Sequence, residues 1–202
     1  MTSPPEPEGV SAASGSRWSR IVDASGEDWR EAFGDLAASY WYCVYAWWRR
    51  AGLEADQAAT ATLGSFTHWL GEAPPGAADS GAGRMREWLP ARLAELAQSG
   101  VTLEGAGAIT IDPAWAERRY ADEPSGEPDA IFQRRWALTV IDFTTSTLEA
   151  EYAARGEEPL FAELLPFIGF DQGEDDRYAA AAERTGRTGG AMRKAVFEFR
   201  SR

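Results

Sequence analysis

Apolar residues recur at helical spacing along most of the chain, and the first such run is the longest. From about Glu27 to Ala51, Trp29, Phe33, Leu36, Tyr40, Val44 and Trp47 follow one another at intervals of four, three, four, four and three. That is one face of a helix. Trp41, Tyr45 and Trp48 make a second stripe at the same spacing, turned about 100° from the first. The two stripes merge into a broad apolar arc. Gly52 is placed to cap this helix, and Arg49 and Arg50 suit the negative end of its dipole.

A second helix is predicted over about Ala55 to Leu70, after a tight turn. A third, "RMREWLPARLAELAQSG", begins near Arg84, and Pro90 either kinks it or lies near its first turn. A fourth spans about Asp129 to Arg155, with Ile131, Leu138, Ile141, Leu148 and Tyr152 on one face. "EEPLFAELLPFIGF" (Glu157 to Phe170) reads as a short amphipathic helix. "DDRYAAAAERTGRTGGAMRKAVFEFRSR" reads as helix, turn, helix. "SRWSRIVDASG" (Ser16 to Gly26) is a short helix and turn, and "GEAPPGAADSGAG" (Gly71 to Gly83) is a loop with two prolines. Residues 1–16 are rich in Pro, Ser, Gly and Glu and read as a disordered tail. Nothing alternates with the period of a strand. The expected fold is therefore all-α. A tail at 1–16 precedes a helical module at 17–98. An acidic linker at 99–128 leads to a second helical module at 129–202, which ends in a helix-turn-helix.

Composition narrows the chemistry. The 202 residues are 44% hydrophobic and 12% aromatic, enough for a packed core, and carry a net charge of −12. So acidic a chain should not coat nucleic acid or anionic lipid nonspecifically. One cysteine, Cys43, rules out a disulfide within the chain, and with one histidine, His68, no zinc site can be assembled. His68 sits in an apolar run, Phe66 to Leu70, and reads as a helix-face residue rather than a base. No apolar run reaches the roughly eighteen residues of a membrane span, so no membrane partner is expected. The start, "MTSPPEPEGVSAASGS", lacks the signal-peptide pattern, and a cytoplasmic location is expected. No nucleophile motif, phosphate loop or suggestive carboxylate pair appears. "GRTGG" (Gly186 to Gly190) has no preceding strand. An enzyme is not expected, nor a cofactor or metal.

The charge is unevenly spread. Residues 177–202 hold seven bases and two acids, a net of +5, which leaves −17 on the remainder. A basic helix after a tight turn is what reading duplex DNA requires, because phosphates demand cations and the helix must enter the major groove. Tyr178, Ala181 and Ala182 form a face that lets two helices cross closely, and Gly186 permits the turn. Ala191, Met192, Ala195, Val196 and Phe199 then make an apolar stripe, with Arg193, Lys194 and Arg200 off it. A solvated basic face on a terminal helix satisfies the same charge pattern.

Five segments, in order, resemble bacterial RNA polymerase sigma factors of the compact extracytoplasmic-function type. "YWYCVYAWWRRAGL" is similar to the start of their polymerase-binding region. "SRWSRIVDASG" resembles a T-R-W-S segment near the family's start, and "GRMREWLPARLAEL" a segment of the promoter-melting region. "FQRRWALTVI" resembles the F-D-R-R-W-A-L opening of the C-terminal module, and "GAMRKAVFEFRSR" the recognition helix. The resemblance covers about Arg17 to Arg202. It implies one module that binds core RNA polymerase and captures single-stranded promoter DNA, and a second that reads duplex promoter DNA. It implies no small cofactor, and it leaves room for an anti-sigma or other regulatory protein. The residues it points to for polymerase are Trp41, Tyr45, Trp48, Arg49 and Arg50. For DNA they are Arg187, Thr188, Gly189, Arg193 and Lys194, with Arg200 and Arg202 on the backbone, and Arg84 and Arg86 in the melting region.

The chain also departs from that pattern. Thr60 and Leu63 stand where an Asp and a Gln are expected. Glu87, Pro90 and Glu95 interrupt a normally more basic helix. Thr185 takes the place of a core leucine, Phe197 and Glu198 that of a His-Arg pair, and Thr144 to Thr147 put a β-branched, polar run inside the fourth helix. Two explanations follow: a divergent sigma factor, or a sigma-like helical regulator that acts by protein contacts without DNA. An acidic stretch, residues 73–176 with 20 acids and 8 bases, could in either case mask the basic terminal helix.

Overall fold

A computed structural model describes residues 21, 28–72, 84–103, 109–168 and 175–201. The proposed tail at 1–16 and most of Ser16 to Gly26 lie outside them, as does Arg202. Among the described residues the regular elements are eight α-helices and one 3-10 turn, with no strand; the fold is all-α. The helices are α1 (Asp28–Arg50), α2 (Ala55–Gly71), α3 (Met85–Ser99), α4 (Pro113–Tyr120), α5 (Pro128–Ala154), α6 (Glu158–Leu164), α7 (Asp175–Arg184) and α8 (Gly189–Arg200), with the 3-10 turn at Leu165–Phe167. The described residues divide into two compact units, one up to Ile141 and one from Asp142 onward.

The first unit is built on the α1–α2 pair. Trp29, Phe33, Leu36, Tyr40, Val44 and Trp47 are all buried, as the spacing requires, and so are Tyr45 and Trp48 of the second stripe. Large rings on α1 need small partners, and α2 supplies them. Ala58, Ala61, Thr62 and Ser65 are buried there. The Thr62 and Ser65 hydroxyls donate back to the carbonyls of Ala58 and Ala61, each at 2.7 Å, so neither hydroxyl is stranded. Ser65 also accepts from Trp48 Nε1 at 3.1 Å. Phe33, Phe66 and Trp69 meet edge to face, with centroids 5.6–6.4 Å apart. Gly64 is small for a separate reason. A Cβ there would lie 2.6 Å from Leu103 Cβ and 3.0 Å from its backbone, so the segment after α3 can pass this closely only over glycine.

The turn after α1 is a paired-carbonyl cap. Gly52 N–H donates to Arg49 O and Leu53 N–H to Trp48 O, both at 3.2 Å, with Gly52 at φ 103°. Helix α3 buries Met85, Leu89, Pro90, Leu93 and Leu96. Pro90 lies inside it, and having no N–H it leaves the carbonyl of Arg86 without its helical donor. Gln133 of α5 fills the vacancy, donating from Nε2 to that carbonyl at 2.6 Å. Cys43 is fully enclosed, with Sγ 3.8 Å from Thr139 Oγ1, and burial pushes its thiol up to about 12.

In the second unit Tyr152, Phe161 and Phe199 form a triangle of rings with centroids 5.7–6.1 Å apart. Leu148, Leu160, Leu164, Phe167, Ala181, Ala182, Met192, Ala195 and Val196 complete its core. Of the face foreseen for the fourth helix, Ile131, Leu148 and Tyr152 are buried, whereas Ile141 is 46% exposed.

Candidate docking and nucleic-acid surfaces

The C-terminal half of α1 is covered by the chain itself. Within the proposed linker Asp112 caps α4, accepting from Trp115 N–H at 3.0 Å, and Pro113 opens it. Glu117 of α4 receives Arg49 on both oxygens, Nε at 2.7 Å and Nη2 at 3.1 Å, and Tyr45 Oη at 2.5 Å. Beyond α4, Tyr42 Oη donates to Glu123 at 3.0 Å, and Arg135 pairs with the same carboxylate. Trp47 Nε1 donates to Asp129 at 2.8 Å, and Arg50 Nη2 to the carbonyl of Pro124 at 2.7 Å. Tyr120 lies under both Arg49 and Arg50, its centroid 4.9 and 5.3 Å from their guanidinium carbons. Trp115 leans on Trp41 and Tyr42 at 5.4 and 5.3 Å.

These contacts set the charge states. Burial alone would raise the Glu117 carboxyl, but hydrogen bonds from Arg49 and Tyr45 outweigh it and hold the group below the usual carboxylate range. Burial, together with the Glu117 hydrogen bond, drives the Tyr45 hydroxyl well above its ordinary value. Burial and the Glu123 charge do the same at Tyr42.

So the residues pointed to for polymerase are brought together, but under a cover. Tyr45 and Trp48 are buried, Trp41 is half-buried, and Arg49 and Arg50 are engaged with residues 117–124. On the other side of α2, Thr60 is exposed with its hydroxyl on the Asp56 carbonyl at 2.9 Å. It borders an open cavity of about 580 Å³ lined also by Trp48, Leu53, Leu96 and Leu103.

Arg84 and Arg86, expected at DNA, lie at the start of α3. Arg84 is exposed and pairs with Glu87 at 3.3 Å. Arg86 spreads over the Trp136 ring at 5.7 Å and comes within 3.8 Å of the same Glu87. Glu87 therefore sits between both cations, and Arg92 is taken by Glu72 and Glu95.

The terminal helix pair is more open. After α7, Arg187 N–H donates to Ala182 O at 2.8 Å and Gly186 N–H to Glu183 O at 3.2 Å, with Gly186 at φ 65°. The same double cap as after α1 turns the chain in four residues. Thr185 is half-buried there, its hydroxyl on the Ala181 carbonyl at 2.8 Å. Thr188 caps α8 by accepting from Ala191 N–H at 3.2 Å, and Gly189 opens the helix. Met192, Ala195, Val196 and Phe199 face the core, while Arg193, Lys194 and Phe197 face outward, Phe197 at 74% exposure. Lys194 pairs with Glu198 at 3.5 Å, Arg187 with Glu157 at 3.6 Å, and Arg193 spreads over the Tyr178 ring. Arg200 Nε donates to the Phe167 carbonyl at 2.7 Å, tying α8 to the 3-10 turn.

Glu117, Glu123, Asp129 and Arg135 were not among the site residues expected from the sequence. Asp112 followed by Pro113 is a helix-start signal that could have revealed α4. No cluster of His, Cys, Asp or Glu among the described residues could hold a metal ion, and none of their helices is long and apolar enough to cross a membrane.

Comparison of the chain with protein-family models, curated proteins and solved structures found no match. Function is therefore argued from these residues.

Proposed function

We propose that this chain is a sigma-factor-like transcription initiation protein that binds core RNA polymerase and directs it to promoter DNA. In this reading the modules are those expected at 17–98 and 129–202, and the helix pair that would read DNA lies in the compact unit from Asp142 onward. Helices α7 and α8 act as the helix-turn-helix, α8 entering the major groove. The observation that carries the reading is the outward face of α8. It opens at a capped N-terminus, with Arg187 in the turn just before it, and presents Arg193 and Lys194 away from the Met192–Phe199 stripe. N-terminal residues of a recognition helix meet base edges, and its flanking cations meet phosphates. The acids beside these cations are surface pairs worth about 0–1 kcal/mol, weak enough for phosphate to displace. Arg193→Glu should abolish binding to promoter duplexes selected with the wild-type protein and polymerase. Unchanged affinity and unchanged salt dependence would overturn the assignment.

One observation favours a second reading, a sigma-like helical regulator that works by protein contacts without DNA. Glu87 lies between Arg84 and Arg86 and Glu198 beside Lys194, so acids stand next to the cations in both proposed DNA contacts. Co-purification with another protein, and with neither polymerase nor DNA, would select it.

A further inference from the structure

Residues 112–129 cross the end of α1 as a strap, held by hydrogen bonds and ion pairs together with the rings of Trp115 and Tyr120. Of the eight residues of α4 only Ala116 is buried. So short a helix with so little apolar burial has no stability of its own. Its specific anchors are Glu117 on Arg49 and Tyr45, Glu123 on Tyr42 and Arg135, and Asp129 on Trp47, with Trp115 resting on Trp41 and Tyr42. The contacts that pair α1 with α2, Trp48 to Ser65 and Phe33 to Phe66 and Trp69, involve no strap residue. The strap therefore belongs to the low-stability end of this unit, and α1 does not. Lifting it would uncover Trp41, Tyr42, Tyr45, Arg49 and Arg50, aromatic and arginine side chains of the kind that dominate interface energies.

We propose that residues 112–129 are a removable lid over the partner-docking face of α1, and that a partner offering an acidic helical segment binds by displacing it. This rests on the reading of that face as the polymerase-docking surface. The chemistry of the partner is copied from the lid: a carboxylate to receive Arg49 on both oxygens, and rings to lie beneath the guanidinium groups. Affinity for the partner is then reduced by the fraction of molecules whose lid is closed, so loosening the lid raises it.

The test uses the full chain, with Glu117→Gln and, separately, Tyr120→Ala. Hydrogen exchange of amides 113–123 reports the lid, exchange of amides 36–48 reports α1, and binding is measured to purified bacterial core RNA polymerase. In the wild type the lid amides should exchange faster than those of α1. Glu117→Gln should speed lid exchange by about tenfold and tighten polymerase binding by about the same factor, leaving α1 unchanged. Tyr120→Ala should move both readouts in the same direction. If the variants loosen the lid while polymerase binding stays equal or weakens, the lid proposal is overturned and polymerase docking survives. Lid amides protected as strongly as those of α1 also overturn it. Should neither wild type nor loosened variants bind polymerase, the docking reading falls and the lid falls with it.

Discussion

The Ser65 hydroxyl donates to Ala61 O and accepts from Trp48 Nε1, so a buried indole N–H depends on one small side chain. Ser65→Ala would keep the packing and strand that N–H. The expected cost is about 1–3 kcal/mol, read as a lower urea midpoint at unchanged slope. Single residues also explain what could be read from the chain before its structure. The arc on α1 was legible because Trp29 through Trp47 keep one helical face without a break, and Gly52 and Gly186 were legible because a left-handed turn favours glycine. Whether Tyr45 or Trp48 would be covered was not legible. Their periodicity fits core and docking face equally, and what decides it is Glu117 and Ser65, 72 and 17 positions away.

Helix α4 shows the same limit at the scale of an element. Eight residues with one buried side chain give no periodic signal, and its position depends in large part on carboxylates that read in sequence only as acidic bias. The titration of those groups gives the element a pH window. Folding lowers the Glu117 carboxyl below its ordinary 4.5, so its contribution is complete above that value and is lost as pH falls through the folded one. Folding raises the Tyr45 hydroxyl above its ordinary 10.0, so its contribution is complete below that value and is lost as pH rises through the folded one. Protection of amides 113–123, corrected for intrinsic exchange, should be flat between about pH 5 and 10 and fall on either side. Protection that changes steadily across neutrality would mean that other groups hold α4.

For the whole molecule the governing quantity is charge. A net −12 repels a polyanion, so any duplex binding must draw on the +5 of residues 177–202. If Arg187, Arg193 and Lys194 each neutralise one phosphate, a fourfold rise in salt should lower duplex affinity about fortyfold. A titration showing no salt dependence would exclude phosphate contact by these three. The all-helical class was legible because helical periods recur from Trp29 to Phe199. The division after Ile141 was not, because α5 runs unbroken through that position. Pro90 carries a last consequence. A proline in α3 and an amide at position 133, separated by 47 places, solve one hydrogen-bond problem between them. Evolution therefore has reason to change them as a pair, and a relative with an ordinary residue at 90 is released from keeping glutamine at 133.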